Sequence, residues 1–212
     1  MSEKSSANLS TLDHERDTLA ERVLQDVLGR IRTGELQPGA VLNEVELSRR
    51  HAVSRGPVRE AIRRLEGRKL VVNAPFMRAR IVALGAEEIR EVFETREALE
   101  GMATRLACER MSDADLERLA DRAREPAEHF DIHTEIAIAS GNSRIRALLC
   151  DELYDLLRLY RRQSGQQPGR RAEAAEEHWQ IALAMEQRNG ALAESLMRSH
   201  IRRATARLTH TN

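Results

Sequence analysis

The stretch Leu47-Ser-Arg-Arg-His-Ala-Val-Ser-Arg-Gly-Pro-Val-Arg-Glu-Ala-Ile-Arg-Arg-Leu-Glu66 constrains this chain more than any other. Val45, Leu47 and Ser48 belong to a short helix that runs into a tight turn near His51-Ala52-Val53. A second helix opens at Ser54, with Val58, Ala61, Ile62 and Leu65 at the spacing of one buried face. Ser54 suits the N-cap, where a hydroxyl can accept from a free backbone N–H. Pro57 falls in the first turn, where its missing N–H costs little. Arg55, Arg59, Arg63 and Arg64 take the opposite face. Helix, short turn and a helix that is basic toward its N-terminus make a helix-turn-helix able to enter the DNA major groove.

The 212 residues suffice for two small domains. With 3% aromatic and 32% charged residues, the balance favours a helical protein over a β-sandwich. No apolar run approaches the roughly 18 residues of a membrane span, and residues 1–13 lack the apolar core of a secretory signal. The expectation is a cytoplasmic protein whose Cys108 and Cys150 are reduced thiols. Net charge is zero, but its distribution is uneven: Arg16–Val82 holds fourteen Lys/Arg against eight Asp/Glu. The rest of the chain therefore carries the matching deficit, as expected if only the first module meets phosphates.

Residues 1–15 read as a disordered tail, residues 16–84 as a DNA-binding module and residues 85–212 as a helical one. The first helix spans about Arg16–Thr33 and ends at Gly34. After the helix-turn-helix, residues 70–83 read as two short strands about a Pro75 turn, which makes the module a winged helix-turn-helix. Wing residues Arg78 and Arg80 are placed to reach phosphate or the minor groove. Beyond Gly85 the periodicity predicts helices at about Ala86–Arg110, Asp113–Arg124, Pro126–Ser140, Ser143–Gln163, Arg171–Arg188 and Gly190–Leu208. Their apolar faces predict a bundle around one core. The fold class is thus mostly α, a winged helix-turn-helix followed by an all-helical bundle.

His129, His133, His178 and His200 fall in that bundle, the first two at i,i+4 on one helix face. Imidazoles brought inward from three helices suit Zn, Ni or a similar divalent ion. Spacing alone reads more readily as histidines satisfied within a core.

Taken together, the chain resembles a GntR-superfamily transcription regulator of the FadR type with a C-terminal FCD ligand-binding domain. The N-terminal resemblance lies in Ile31-Arg-x-Gly34-x-Leu36-x-Pro38-Gly39, in Leu47-Ser48, and in Val53-Ser54-Arg55-x-Pro57-Val58-Arg59-Glu60-Ala61. Leu65-Glu66 and Leu70-Val71 complete it. The C-terminal resemblance lies in Arg96-x-x-Leu99-Glu100, His133-x-x-Ile136, Ser140-Gly141-Asn142, Glu177-His178 and His200-Ile201. Val45 stands where the family usually has a basic or polar residue, and Met77-Arg78 where the wing commonly has Arg-Gly.

The resemblance implies a homodimer on double-stranded operator DNA, with Arg55 and Arg59 as base readers. An arginine fork can donate two bonds to guanine, discriminating by about 1–3 kcal/mol. Ser54 belongs to the same surface, and Arg49, Arg50 and Arg63 are assigned to phosphate positioning. It also implies a metal held by His133, His178 and His200. His129 stands where the metal-binding subgroup commonly has an aspartate, with Asp131 two residues on; either completes the set. Arg96 occupies the place of the family's carboxylate-binding arginine, and Asn142 and Arg158 are further pocket candidates.

Two other readings compete with a carboxylate-responsive repressor. In a metallohydrolase tethered to DNA, His129-Phe-Asp-Ile-His133 would have to serve as a zincin motif, yet Phe130 stands where that motif needs its general base. In a direct metal sensor, the ion itself is the signal.

Overall fold

The computed structural model describes residues 3–74, 77–125, 130–165 and 169–209. The chain divides into two compact units, Met1–Ala83 and Leu84–Asn212.

In the first unit, α1 (Glu3–Thr33) supplies a continuous apolar face of Ala20, Val23, Leu24, Val27, Leu28 and Ile31, all buried. The helix begins at Glu3, whereas a disordered tail is expected through residue 15. No proline or glycine interrupts residues 3–28, so nothing in the backbone chemistry stops the helix from extending back.

Helix α2 (Glu44–His51) starts at Asn43, whose side chain accepts from Val45 N–H at 3.0 Å and Glu46 N–H at 3.3 Å. It ends in a Schellman turn: Val53 N–H donates to Ser48 O at 3.0 Å and Ala52 N–H to Arg49 O at 3.2 Å. That turn requires a left-handed residue, and Ala52 adopts φ +53° where glycine would do so without a Cβ penalty.

Helix α3 (Arg55–Gly67) buries Pro57, Val58, Ala61, Ile62 and Leu65 against α1 and α2. Ser54 occupies its N-cap in extended geometry, but its side chain makes no capping bond. Its hydroxyl is not committed to the cap that the sequence suggests.

Strands β1 (Val71–Val72) and β2 (Arg80–Ile81) pair antiparallel, with Val71 opposite Ile81. The 39–42 segment adds to the wing through Leu42 N–H to Ala79 O at 2.8 Å and Ile81 N–H to Ala40 O at 2.9 Å. The Pro75 turn lies outside the described residues.

The second unit is helical throughout its described residues: α4 (Ala86–Arg110), α5 (Asp113–Arg124), α6 (Ile132–Ala139), α7 (Ser143–Arg146), α8 (Tyr154–Gly165), α9 (Arg170–Glu186) and α10 (Gly190–Thr209). Helix α10 packs along α4, α9 against α5 and α10, and α6 against α4. Gly101 lets α4 and α10 approach: a methyl group there would stand 2.8 Å from Arg198 Nε. One continuous helix is expected from Ser143 to Gln163, but Ala147–Glu152 forms a π-helical turn between α7 and α8. Leu153 N–H bonds back to Leu148 O at 2.9 Å, an i to i−5 closure that interrupts the α ladder.

Among the described residues, no helix is long and apolar enough to cross a membrane. Cys108 and Cys150 are both free thiols, as expected.

Candidate functional site

Three helices of the second unit each turn one histidine inward by continuing an apolar face. On α6, His133 shares its face with Ile136 and Ala137; Asp131 caps the helix by accepting from His133 N–H at 3.2 Å. On α9, His178 precedes the buried Ile181, Ala182 and Met185, and on α10 His200 lies between Met197 and Ala204. A ligand atom from each histidine lies within 4.8 Å of the others. Ring centroids are 5.0 Å apart for His133 and His178, 5.2 Å for His133 and His200, and 4.6 Å for His178 and His200.

Two of the rings are oriented by carboxylates. His133 Nδ1 is 2.6 Å from Glu100 Oε2, and His200 Nδ1 is 2.5 Å from Glu177 Oε2. A proton on each Nδ1 donates to these acceptors and leaves Nε2 as a lone-pair donor, the arrangement that sets up metal-ligating imidazoles. His178 Nε2 lies 3.3 Å from His200 Nε2. Burial is the main cause that lowers all three histidine pKa values, opposed at His133 by Glu100 and at His200 by Glu177. His200 falls to about 4, and His178, which has no carboxylate partner among the described residues, is also displaced by His133, His200 and Arg96. At neutral pH the cluster therefore presents uncharged nitrogen ligands.

Arg96 lies on α4 above this cluster and is fully buried. Its Nε donates to Glu100 Oε1 at 2.6 Å, Nη2 lies 3.3 Å from His133 Nε2, and its guanidinium carbon stands 5.3 Å from the Phe93 ring centre. Burial alone would raise the Glu100 carboxyl, but Arg96 and then His133 hold it well below the ordinary range. Arg96 Nη1 is buried with no hydrogen-bond partner among the described residues. An unsatisfied buried guanidinium nitrogen is costly, and an anion supplied from outside would satisfy it.

The histidines and Arg96 line a cavity of about 280 Å³ that is also bounded by Phe130, Arg161, Arg170 and Arg171. Arg161 Nη1 donates to Asp131 Oδ1 at 3.0 Å, and Arg170 Nη1 lies 2.9 Å from Glu177 Oε2.

The expected site is thus assembled in part. His133, His178, His200 and Arg96 converge; His129 lies outside the described residues. Asp131 is not in the three-histidine group: its oxygens serve the α6 cap, Thr134 and Arg161. Asn142 is a correction. Its side chain caps α7, accepting from Arg144 N–H at 3.0 Å and Ile145 N–H at 3.2 Å, and does not line the cavity. Arg158 is another, because its Nη1 donates to Tyr154 Oη at 2.9 Å and the residue does not line the cavity either. The residues the sequence reading missed are Arg161, Arg170, Arg171 and Glu177. Glu100 lies four residues after Arg96, so that pairing was present in the spacing, whereas the Glu177–His200 pairing joins two helices and was not.

In the first unit Arg49, Arg50, Ser54, Arg55, Arg59, Arg63, Arg78 and Arg80 are all exposed. Arg59 Nε lies 3.0 Å from Glu44 Oε2, Arg63 Nη2 2.6 Å from Glu60 Oε2 and Arg50 Nε 3.4 Å from Asp26 Oδ1. Arg80 Nη1 donates to Gly39 O at 3.1 Å, tying the wing to the turn before α2. Exposed pairs of this kind are weak, so phosphates can displace the carboxylates at little cost.

Comparison with known proteins agrees with both units. The family model described as "Bacterial regulatory proteins, gntR family" matches residues 19–76, and the FCD domain model matches residues 91–203. The HTH-type transcriptional regulator LutR of Bacillus subtilis is 28% identical over 209 residues, covering 81% of this chain and 92% of LutR. A protein of Paenarthrobacter nicotinovorans named "Probable D-xylose utilization operon transcriptional repressor" is 27% identical, covering 93% of this chain and 92% of that protein. A GntR transcriptional regulator from Rhodococcus sp. RHA1 superimposes with a TM-score of 0.74 at 23% identity, covering 91% of this chain and 98% of that one.

Proposed function

The chain belongs to the gntR family of bacterial regulatory proteins and carries an FCD domain, and from that premise we propose a repressor of the FadR type in which metal and carboxylate binding in the helical unit sets operator affinity. It is a DNA-binding transcriptional regulator, and its relatives are regulators rather than enzymes.

The observation that carries the finer reading is the convergence of His133, His178 and His200 beneath the unsatisfied Arg96 Nη1. Three neutral imidazoles, two of them oriented by carboxylates, fit a borderline divalent ion such as zinc or nickel. Bound there, the ion would supply positive charge to an anionic effector. Arg96 binds and orients one carboxylate through its free Nη1, while Glu100 keeps the guanidinium in place.

The DNA-facing reading rests on the exposed arginines of α2, α3 and the wing. Arg55 and Arg59 read bases, Ser54 adds a short donor or acceptor beside them, and Arg49, Arg50, Arg63, Arg78 and Arg80 hold phosphate. A homodimer reads a two-fold operator. Effector and DNA affinities are then reciprocally coupled.

The test selects chromosomal fragments with the full chain and titrates the best one by fluorescence anisotropy. Small carboxylates should weaken binding when metal is present and have no effect after chelation. Loss of DNA on adding metal alone, with no carboxylate response, would instead support the ion as the signal.

A further inference from the structure

The cavity holds more positive charge than one carboxylate needs. Of its four arginines, Arg170 is matched by Glu177, with Glu173 a further 3.8 Å from its Nη1. Glu177 is itself shared with His200 and with Arg203, 2.7 Å away. Arg96 is matched by Glu100 on one edge only, leaving Nη1 without a partner. Arg161 shows the same asymmetry: Nη1 meets Asp131 while its buried Nε has no hydrogen-bond partner among the described residues. Arg171 lines the cavity, is exposed, and forms no ion pair among the described residues.

These unsatisfied groups lie on different elements, Arg96 on α4, Arg161 on α8 and Arg171 on α9. The cavity also offers apolar surface from Phe130, Ala123, Ala174, Ala175 and Ala204. Its volume of about 280 Å³ lies at the small end of ligand cavities and accommodates a short molecule. Incompletely matched arginines from three elements beside apolar surface call for a second anionic group on a short aliphatic ligand.

We infer that the ligand is a short aliphatic dicarboxylate, one carboxylate held by Arg96 over the histidines and the second by Arg161 and Arg171. This rests on the carboxylate-effector reading and specifies it. Arg171 sets ligand charge, because its side chain at the rim is uncommitted and can close on the second carboxylate. A paired guanidinium–carboxylate bond is directional and stronger than a neutral hydrogen bond, so it discriminates against a ligand ending in a methyl group.

The experiment is calorimetric titration of the full chain, loaded with nickel, using succinate and butyrate as length-matched probes. Succinate should bind roughly tenfold tighter or more, the gain of one charge-assisted contact pair. Arg171→Gln should remove most of that advantage and leave butyrate affinity unchanged, and Arg96→Gln should weaken both. Equal affinity for the two probes, or an advantage that survives both Arg171→Gln and Arg161→Gln, overturns the dicarboxylate and leaves the single-carboxylate reading standing. Absence of binding by either probe overturns both.

Discussion

Glu100 Oε2 lies 2.6 Å from His133 Nδ1, and the other oxygen of the same carboxylate lies 2.6 Å from Arg96 Nε. One buried group thus orients an inner imidazole and neutralises the arginine above it. Glu100→Gln keeps the shape and removes the charge. The account expects metal affinity to fall by about 10–100-fold, as for other losses of a ligand-orienting partner. Arg96 would be left as an uncompensated buried cation, at a cost of about 3–5 kcal/mol. Chelator competition measures the first effect and urea denaturation the second; a variant unchanged in both contradicts the assignment.

The turn of the helix-turn-helix stores a small strain at Ala52, held at φ +53°. Ala52→Gly relieves it, and a gain of about 1 kcal/mol is expected from the absent Cβ, partly offset by unfolded-state entropy. Ala52→Val goes the other way. Urea midpoints for the pair give the sign directly.

Arg59 and Arg49 separate base reading from phosphate holding. Arg59→Ala should abolish the footprint on the selected operator while retaining non-specific binding. Arg49→Ala should weaken all sequences alike and reduce the salt slope by about 1. Glu44→Gln, which frees Arg59 from its 3.0 Å partner, should raise affinity for any duplex. An Arg59→Ala footprint identical to wild type removes Arg59 from the reading surface.

Metal-free protein should lose stability on mild acidification. His200 has a folded pKa of about 4 against an ordinary 6.5, because burial outweighs its bond to Glu177. The unfolded chain therefore binds the proton first. The stabilising neutral form is fully present above about pH 6.5 and its contribution is lost as pH falls toward 4. The urea midpoint of the metal-free chain should decline from pH 7 to pH 5, and the decline should be shallower in His200→Gln. Equal pH profiles for the two proteins would contradict the buried neutral state.

The sequence made the winged helix-turn-helix and the convergence of His133, His178 and His200 legible for different physical reasons. Local chemistry carried the first: the buried spacing of Val58, Ala61, Ile62 and Leu65 and the Gly34 stop are complete within a few residues. At α5 the same holds, where Ser112 accepts from Asp115 N–H at 3.2 Å. Inward placement of the histidines followed from their apolar neighbours, and their proposed role as ligands rests on the family resemblance. The π-helical turn left no such trace. Ile145, Leu149, Leu156 and Tyr160 keep an unbroken helical period across it, and neither proline nor glycine marks it. Asn142 was misread although Asn at a helix start is a strong capping signal. Arg161 and Arg171 were missed because only tertiary packing brings α8 and α9 to one cavity.

The most direct measurement of the central claim is metal content per chain after nickel loading and exhaustive dialysis, by elemental analysis of the wild type and His178→Ala. The account predicts close to one ion per wild-type chain and a loss of most of it in the variant, with the fold retained by circular dichroism. Undiminished nickel in a folded His178→Ala protein would contradict the three-histidine centre.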